Sequence, residues 1–150
     1  MFLDEAWLAF SVFFETAQWI VLPIAVLAAL TVVPRRRIFL QALIITILAS
    51  FALKLFFHQD RPCVLEDALV ACPPDFGMPS IHAAMSGLFF MAALGSSWAW
   101  LIFPLSMAVA YSRVFLNVHT PEQVIAGFAL AIVTYLMTWL IVQRKEAARK

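Results

Sequence analysis

Residues 38–57 read IFLQALIITILASFALKLFF, twenty positions in which only Lys54 carries a full charge. A helix that crosses a bilayer needs roughly 20 mostly apolar residues, and this stretch has that length and that chemistry. It is bounded on both sides, by Arg35-Arg36-Arg37 before it and by the polar segment His58–Ser80 after it. It reads as a membrane-spanning helix with one cation near its far end.

The rest of the chain is built the same way. Ala6–Val33 is a longer apolar run, interrupted by Glu15, Gln18 and Pro23 and stopped by Pro34. It reads either as one tilted helix or as an interfacial stretch that becomes a span near Gln18. Between Ile81 and Val118 only Arg113 is fully charged. At about 1.5 Å per residue a single helix of that length would overshoot the membrane. Gly95-Ser96-Ser97 is the natural break, giving a short span Ile81–Leu94 and a second, Trp98–Phe115, kinked at Pro104. A last span covers about Pro121 to Val142. The expectation is an all-α polytopic membrane bundle of about five transmembrane helices, one domain over residues 1–150.

Composition agrees. Of the 150 residues, 64% are hydrophobic and 13% charged, with a mean hydropathy of +0.93. A water-soluble domain carries about 25% charged residues, so most of this surface faces lipid. The net charge of +1 says nothing about nucleic acid, and no basic cluster with interleaved aromatics suggests such a partner, so none is expected. The N-terminus, with Asp4 and Glu5, is acidic where a signal peptide would be basic, so the first run is expected to be retained.

Charge placement favours five spans. Arg35, Arg36, Arg37, Arg144, Lys145, Arg149 and Lys150 then share one side, seven of the ten Lys and Arg residues. That side is expected to be cytoplasmic, with the N-terminus outside. Lys54, Arg61 and Arg113 lie at or near the opposite, outer face, with His58, His82 and His119. Cys63 and Cys72 sit in the 58–80 loop on that face, where an oxidising compartment would let them pair; two free thiols are the other reading.

Each of these ionisable residues has an ordinary explanation alone. Lys54 and Arg113 could snorkel from helix ends, and His82 and His119 could be satisfied interfacial histidines. Their joint spacing makes that improbable. The chain reads Lys54-Leu-Phe-Phe-His-Gln-Asp-Arg61-Pro62, then Pro79-Ser80-Ile81-His82, then Ser112-Arg113-Val-Phe-Leu-Asn-Val-His119. In order and spacing this resembles the three-part signature K-x6-RP, PSGH and SR-x5-H-x3-D of the phosphatidic acid phosphatase type 2 superfamily. These are lipid phosphatases related to bacterial acid phosphatases and vanadium haloperoxidases. The resemblance spans about Lys54 to Gly127, the motif core. Ile81 stands where the family usually has Gly, and Gln123 where the third motif has Asp. Membrane members commonly have six spans, so five would be a trimmed version that keeps the catalytic core.

The resemblance implies that His119 is the nucleophile, forming a phosphohistidine, and that His82 is the general acid and then the base. Lys54, Arg61 and Arg113 would bind the phosphate, together with Ser80 and the backbone N–H of Ile81. Physical chemistry agrees: a phosphoryl transition state spreads charge over its equatorial oxygens, arginines clamp oxygens bidentately, and a helix N-terminus at Ser80 favours an anion. Gln123 would orient His119 without bringing charge. It also fits a capping box, Thr120-Pro121-Glu122-Gln123, and Glu122 is a possible substitute carboxylate. No cofactor or metal is expected, since three scattered histidines make a poor metal site. His58 matches no role.

The function expected is hydrolysis of a phosphate or diphosphate on a lipid anchor: a polyprenyl diphosphate, phosphatidylglycerol phosphate, phosphatidic acid or phosphorylated lipid A. The partners are this substrate and the membrane lipids. The location is expected to be a bacterial inner membrane, with the site facing the periplasm or exterior and the C-terminus cytoplasmic. The alternatives are a lipid phosphotransferase using the same site, or a lipid-phosphate-binding membrane protein with impaired catalysis.

Overall fold

The computed structural model of the chain describes residues 2–149. Met1 and Lys150, the ends on which part of the orientation expectation rests, lie outside the described residues. Six α-helices account for most of the rest: α1 (Phe2–Thr16), α2 (Gln18–Val32), α3 (Arg36–Phe57), α4 (Ile81–Ala93), α5 (Ala99–Phe115) and α6 (Pro121–Ala147). One 3-10 turn, Pro62–Val64, interrupts the loop between α3 and α4, and no strand occurs among the described residues. The molecule is an integral membrane protein of the all-helical class.

The first apolar run takes the bent form. α1 and α2 meet at Ala17 at an angle of 87°. α2 ends where Pro34 disfavours helical geometry for its predecessor; Val33 is extended, at φ −78° and ψ 125°. α3 and α6 are long and apolar enough to cross a bilayer, and the α1–α2 pair qualifies as one bent unit. α4 has 13 residues and α5 has 17. At 1.5 Å per residue α4 is only about 20 Å long, against a hydrocarbon core of about 30 Å. Length and composition alone therefore give two or three crossings, where sequence spacing leads to five. α6 runs past Val142 to Ala147, because Arg144 and Lys145 in its last turn suit the negative end of the helix dipole.

The helices are turned inside out relative to a soluble bundle. The buried face of α3 carries Phe39, Ala42, Thr46, Ser50 and Lys54, spaced three or four apart; Leu40, Ile44, Leu48, Phe51 and Leu55 point outward. Small and polar residues face the interior, as expected where lipid is as apolar as leucine and helices associate by close packing and hydrogen bonds. Thr46 and Thr134 join α3 to α6 through a 2.7 Å hydroxyl pair, and the Ser106 hydroxyl donates to the Ser86 carbonyl at 2.7 Å to join α5 to α4.

α4 is the central helix, packed against α3, α5 and α6. Its contact with α6 is close because two residues there lack a Cβ. A methyl at Gly87 would lie 2.7 Å from the Phe128 ring, and one at Gly127 would collide with the Ser80 carbonyl. The Gly127 approach matters most, since it lets the start of α4 settle onto the start of α6. Lys54 at the end of α3, the first turn of α4, Arg113 at the end of α5 and the first turn of α6 all fall at the same end of the bundle.

Candidate active site

Two chain reversals build this end. α3 stops at His58, whose left-handed backbone (φ 47°) ends the helix one turn after Lys54. The loop that follows carries Arg61 and is closed by a Cys63–Cys72 disulfide. It is pinned again where the Gly77 N–H donates to the Gln59 carbonyl at 2.7 Å. α5 ends two residues after Arg113, and a second left-handed residue, Asn117 (φ 57°), turns the chain so that His119 points back into the bundle. Thr120 then caps α6, with Pro121 in the first turn and Gln123 completing the capping box.

Lys54, Arg61, Arg113, His119 and Gln123 are all buried, each at most 6% exposed. A buried cation is tolerated only when partnered, and all three have partners. Lys54 sits 2.8 Å from one carboxylate oxygen of Asp75, and Arg61 Nη2 lies 2.7 Å from the other. Arg61 Nε donates to the Asp75 carbonyl at 2.9 Å, and Lys54 donates to the Phe76 carbonyl. Burial would raise the Asp75 pKa, but its hydrogen bond to Lys54 and the two cationic charges hold it below the ordinary carboxylate value.

His119 is held at both nitrogens. Arg61 Nη1 lies 2.8 Å from Nε2, and Gln123 Oε1 lies 2.9 Å from Nδ1. A guanidinium only donates, so Nε2 is the acceptor and Nδ1 carries the proton, donating a hydrogen bond to Gln123 Oε1. The Gln123 amide is itself fixed: Oε1 also accepts from the Thr120 N–H at 3.3 Å, while Nε2 donates to the Asp60 carbonyl at 3.0 Å. Gly77 leaves the room for this amide; a Cβ there would overlap its carbon and both its terminal atoms. Burial lowers the His119 pKa and the nearby Arg61 charge lowers it further, outweighing the Gln123 hydrogen bond, to about 2. The ring is neutral, with an in-plane lone pair on Nε2.

Ser80 and His82 border this network at the start of α4. The Ser80 N–H is taken by the Gln123 carbonyl at 2.9 Å. Ser80 Oγ and His82 Nε2 are buried and make no hydrogen bond among the described residues. Buried polar atoms are nearly always satisfied, so these two retain hydrogen-bonding capacity beside the His119 network. Ile81, in the first turn, is half-buried.

The structure gives Arg113 a different setting from the one its motif implies. Its guanidinium is fully buried and faces α1: Nη1 pairs with Glu15, Nη2 donates to the Ser11 carbonyl at 3.2 Å, and Nε and Nη2 both reach Ser112 Oγ. Of the candidate carboxylates, Glu122 is exposed and takes no part in the His119 network. His58 lies exposed at the rim, its ring 4.7 Å from that of Phe76.

Sequence reasoning missed Asp75 and Glu15. Glu15 did carry a signal, a carboxylate inside an apolar run, which is expensive unless paired. Asp75, between two prolines and a phenylalanine in a polar loop, carried none.

Residues 35–147 match the sequence profile of the PAP2 superfamily. A 61-residue stretch is 36% identical to an undecaprenyl-diphosphatase of Sulfolobus acidocaldarius; it covers 39% of this chain and 30% of that relative's length. Among solved structures, the fold is similar to that of a transmembrane PAP2-type phosphatidylglycerolphosphate phosphatase from Bacillus subtilis. The TM-score is 0.69, over 95% of this chain and 78% of the other, at 16% identity.

Proposed function

Because the chain belongs to the PAP2 superfamily, we propose that it is a membrane lipid phosphatase working through His119. The observation that carries this reading is the state of that ring. It is neutral, its Nδ1 proton is held by Gln123, and its Nε2 lone pair faces Arg61 in a buried cationic site. A nucleophilic imidazole needs that tautomer and that lone pair.

The steps follow from the residues. A terminal phosphate docks between Lys54 and Arg61, and Arg61 Nη1 turns from Nε2 of His119 to a phosphate oxygen. Nε2 attacks phosphorus as the bond to the lipid oxygen breaks; His82 gives that oxygen a proton. The phosphohistidine that results keeps its proton on Nδ1, hydrogen-bonded to Gln123. Water then attacks phosphorus, His82 takes its proton, and the P–N bond breaks to return neutral His119. Charge stabilisation comes from the chain's own cations, with the unpartnered Ser80 hydroxyl and the start of α4 as further donors.

The similar proteins are named for undecaprenyl diphosphate and phosphatidylglycerol phosphate. Both are terminal phosphates on an apolar anchor, and that is the substrate class assigned here. We place the site at the outer end of five crossings, with α4 and α5 completing the count and the C-terminal end of α6 in the cytoplasm.

Phosphate release from a panel of lipid phosphates in detergent tests the reading. Wild type should release phosphate from at least one and His119→Ala from none, at equal thermal stability. Acid-labile phosphate on wild type, absent from His119→Ala, identifies the intermediate. Near-normal release by His119→Ala would overturn the covalent route.

A further inference from the structure

Asp75 bridges the two cations that the proposed function gives to the substrate. One carboxylate oxygen meets Lys54 at 2.8 Å and the other meets Arg61 at 2.7 Å. This is how two oxygens of a phosphate would be held. Asp75 is also the outermost of the three: Lys54 is 3% exposed and Arg61 6%, while Asp75 is 45% exposed. A ligand arriving from solvent or from the membrane surface meets the carboxylate before it meets either cation.

We propose that Asp75 is a specificity-determining residue whose carboxylate occupies the phosphate position and excludes head groups that carry a single negative charge. The inference rests on reading Lys54 and Arg61 as the phosphate-binding pair. Any site at a phospholipid surface is surrounded by phosphodiesters, each with one negative charge on its phosphate. Exchanging the Asp75 carboxylate for such a diester swaps one monoanion for another. It gains no net Coulomb energy and gives up the high effective concentration of a tethered group. Asp75 is tethered tightly, between the Cys63–Cys72 disulfide and the Gly77–Gln59 hydrogen bond. A terminal phosphate carries roughly −1.5 to −2 near neutral pH and three strong acceptor oxygens. It can displace the carboxylate because it brings more charge to the same two cations.

The geometry lets the carboxylate leave without dismantling the site. Arg61 Nε is bonded to the Asp75 backbone carbonyl and Lys54 to that of Phe76. When the side chain swings out, both cations keep a main-chain anchor. The freed donors, Nη2 of Arg61 and Nζ of Lys54, turn to the incoming oxygens.

The test uses the purified full-length protein in detergent, as wild type, Asp75→Asn and Asp75→Ala. The midpoint of thermal unfolding is measured with inorganic phosphate and, separately, with short-chain phosphatidylglycerol, a phosphodiester. Wild type should be stabilised by phosphate and not by the diester; the variants should be stabilised by both. In turnover, the ratio of the diester's inhibition constant to the substrate KM should fall about tenfold or more, about 1.4 kcal/mol of discrimination. An unchanged ratio in both variants, or a KM that rises as kcat falls, would overturn the proposal and make Asp75 only a brace for the cations. Strong inhibition of wild type by the diester at concentrations equal to substrate would overturn it without any variant. Absence of turnover by wild type on every lipid would instead count against the phosphatase reading, while the unfolding measurement still decides the role of Asp75.

Discussion

At one end of the bundle Lys54, Arg61 and Arg113 are almost wholly buried, and each faces a carboxylate. At the other end Arg35, Arg36, Arg37, Arg144, Lys145 and Arg149 all stand exposed. The residue types are the same and the physics is opposite. Desolvating a cation costs several kcal/mol, which a fold tolerates only where a fixed charge is needed. An exposed cation costs little and acts through its attraction to the cytoplasmic side of the membrane. On the proposed function the buried pair Lys54 and Arg61 would govern what the protein does, and the exposed cations would govern which way it sits.

The same substitution at each end breaks or sharpens this contrast. Arg61→Ala should lower kcat/KM by about 10²–10³, the usual loss when one preorganised charge-stabilising group is removed. Arg36→Ala should leave kcat/KM within about twofold, in the range of surface changes away from special features. Steady-state rates on the lipid chosen by the panel check both, and equal losses would erase the distinction between the two ends.

A smaller effect is expected at Gln123, which belongs to the buried end but carries no charge. Gln123→Ala should slow turnover on the order of 10²-fold. That is less than the ~10⁴ lost when a serine-protease triad loses a correctly placed acceptor. It should also cost roughly 1 kcal/mol of stability through the capping box. Gln123→Asp should hold or raise the rate at neutral pH. A negative charge against Nδ1 would raise the His119 pKa from its depressed value of about 2. Since a protonated ring cannot attack, the acid limb of kcat/KM would move to higher pH. A limb that stays in place, with the rate untouched in Gln123→Ala, would reduce Gln123 to a cap.

The smallest effect on rate, and the largest on placement, belongs to the exposed end. A compartment-sensitive reporter fused after Lys150 should report the cytoplasm. With Arg35, Arg36 and Arg37 all changed to Ala, that signal should become mixed while the rate per correctly inserted molecule stays the same. A purely periplasmic signal from wild type would sink the five-crossing arrangement.

These residues also show what was legible in the sequence. Lys54 and Gln123 lie in the end turns of α3 and α6, with Arg61 and His119 a few residues beyond helix ends. Helix lengths matched to a bilayer bring these ends together, and the resemblance of the motif spacing supplied their roles. Glu15 reaches Arg113 across 98 positions and Asp75 reaches Lys54 across 21. Such pairings depend on how α1 and the 58–80 loop settle, and no local spacing encodes that. The break at Ala17 was open for a related reason: an apolar run states that a segment prefers lipid, not where it bends. The shortness of α4 was visible in its residues, but not that Ser80 would sink onto Gln123 at the top of α6.

Gly77 carries a consequence of its own. With no Cβ, it is the mould in which the Gln123 amide is cast, and any side chain at that position would push the amide off the imidazole. Residues 77 and 123 therefore share one volume. Aspartate, a methylene shorter than glutamine, would draw back from the mould and leave space for a methyl at 77. Side-chain length at one position and bareness at the other form a single variable, and a lineage that changes either inherits a constraint on both.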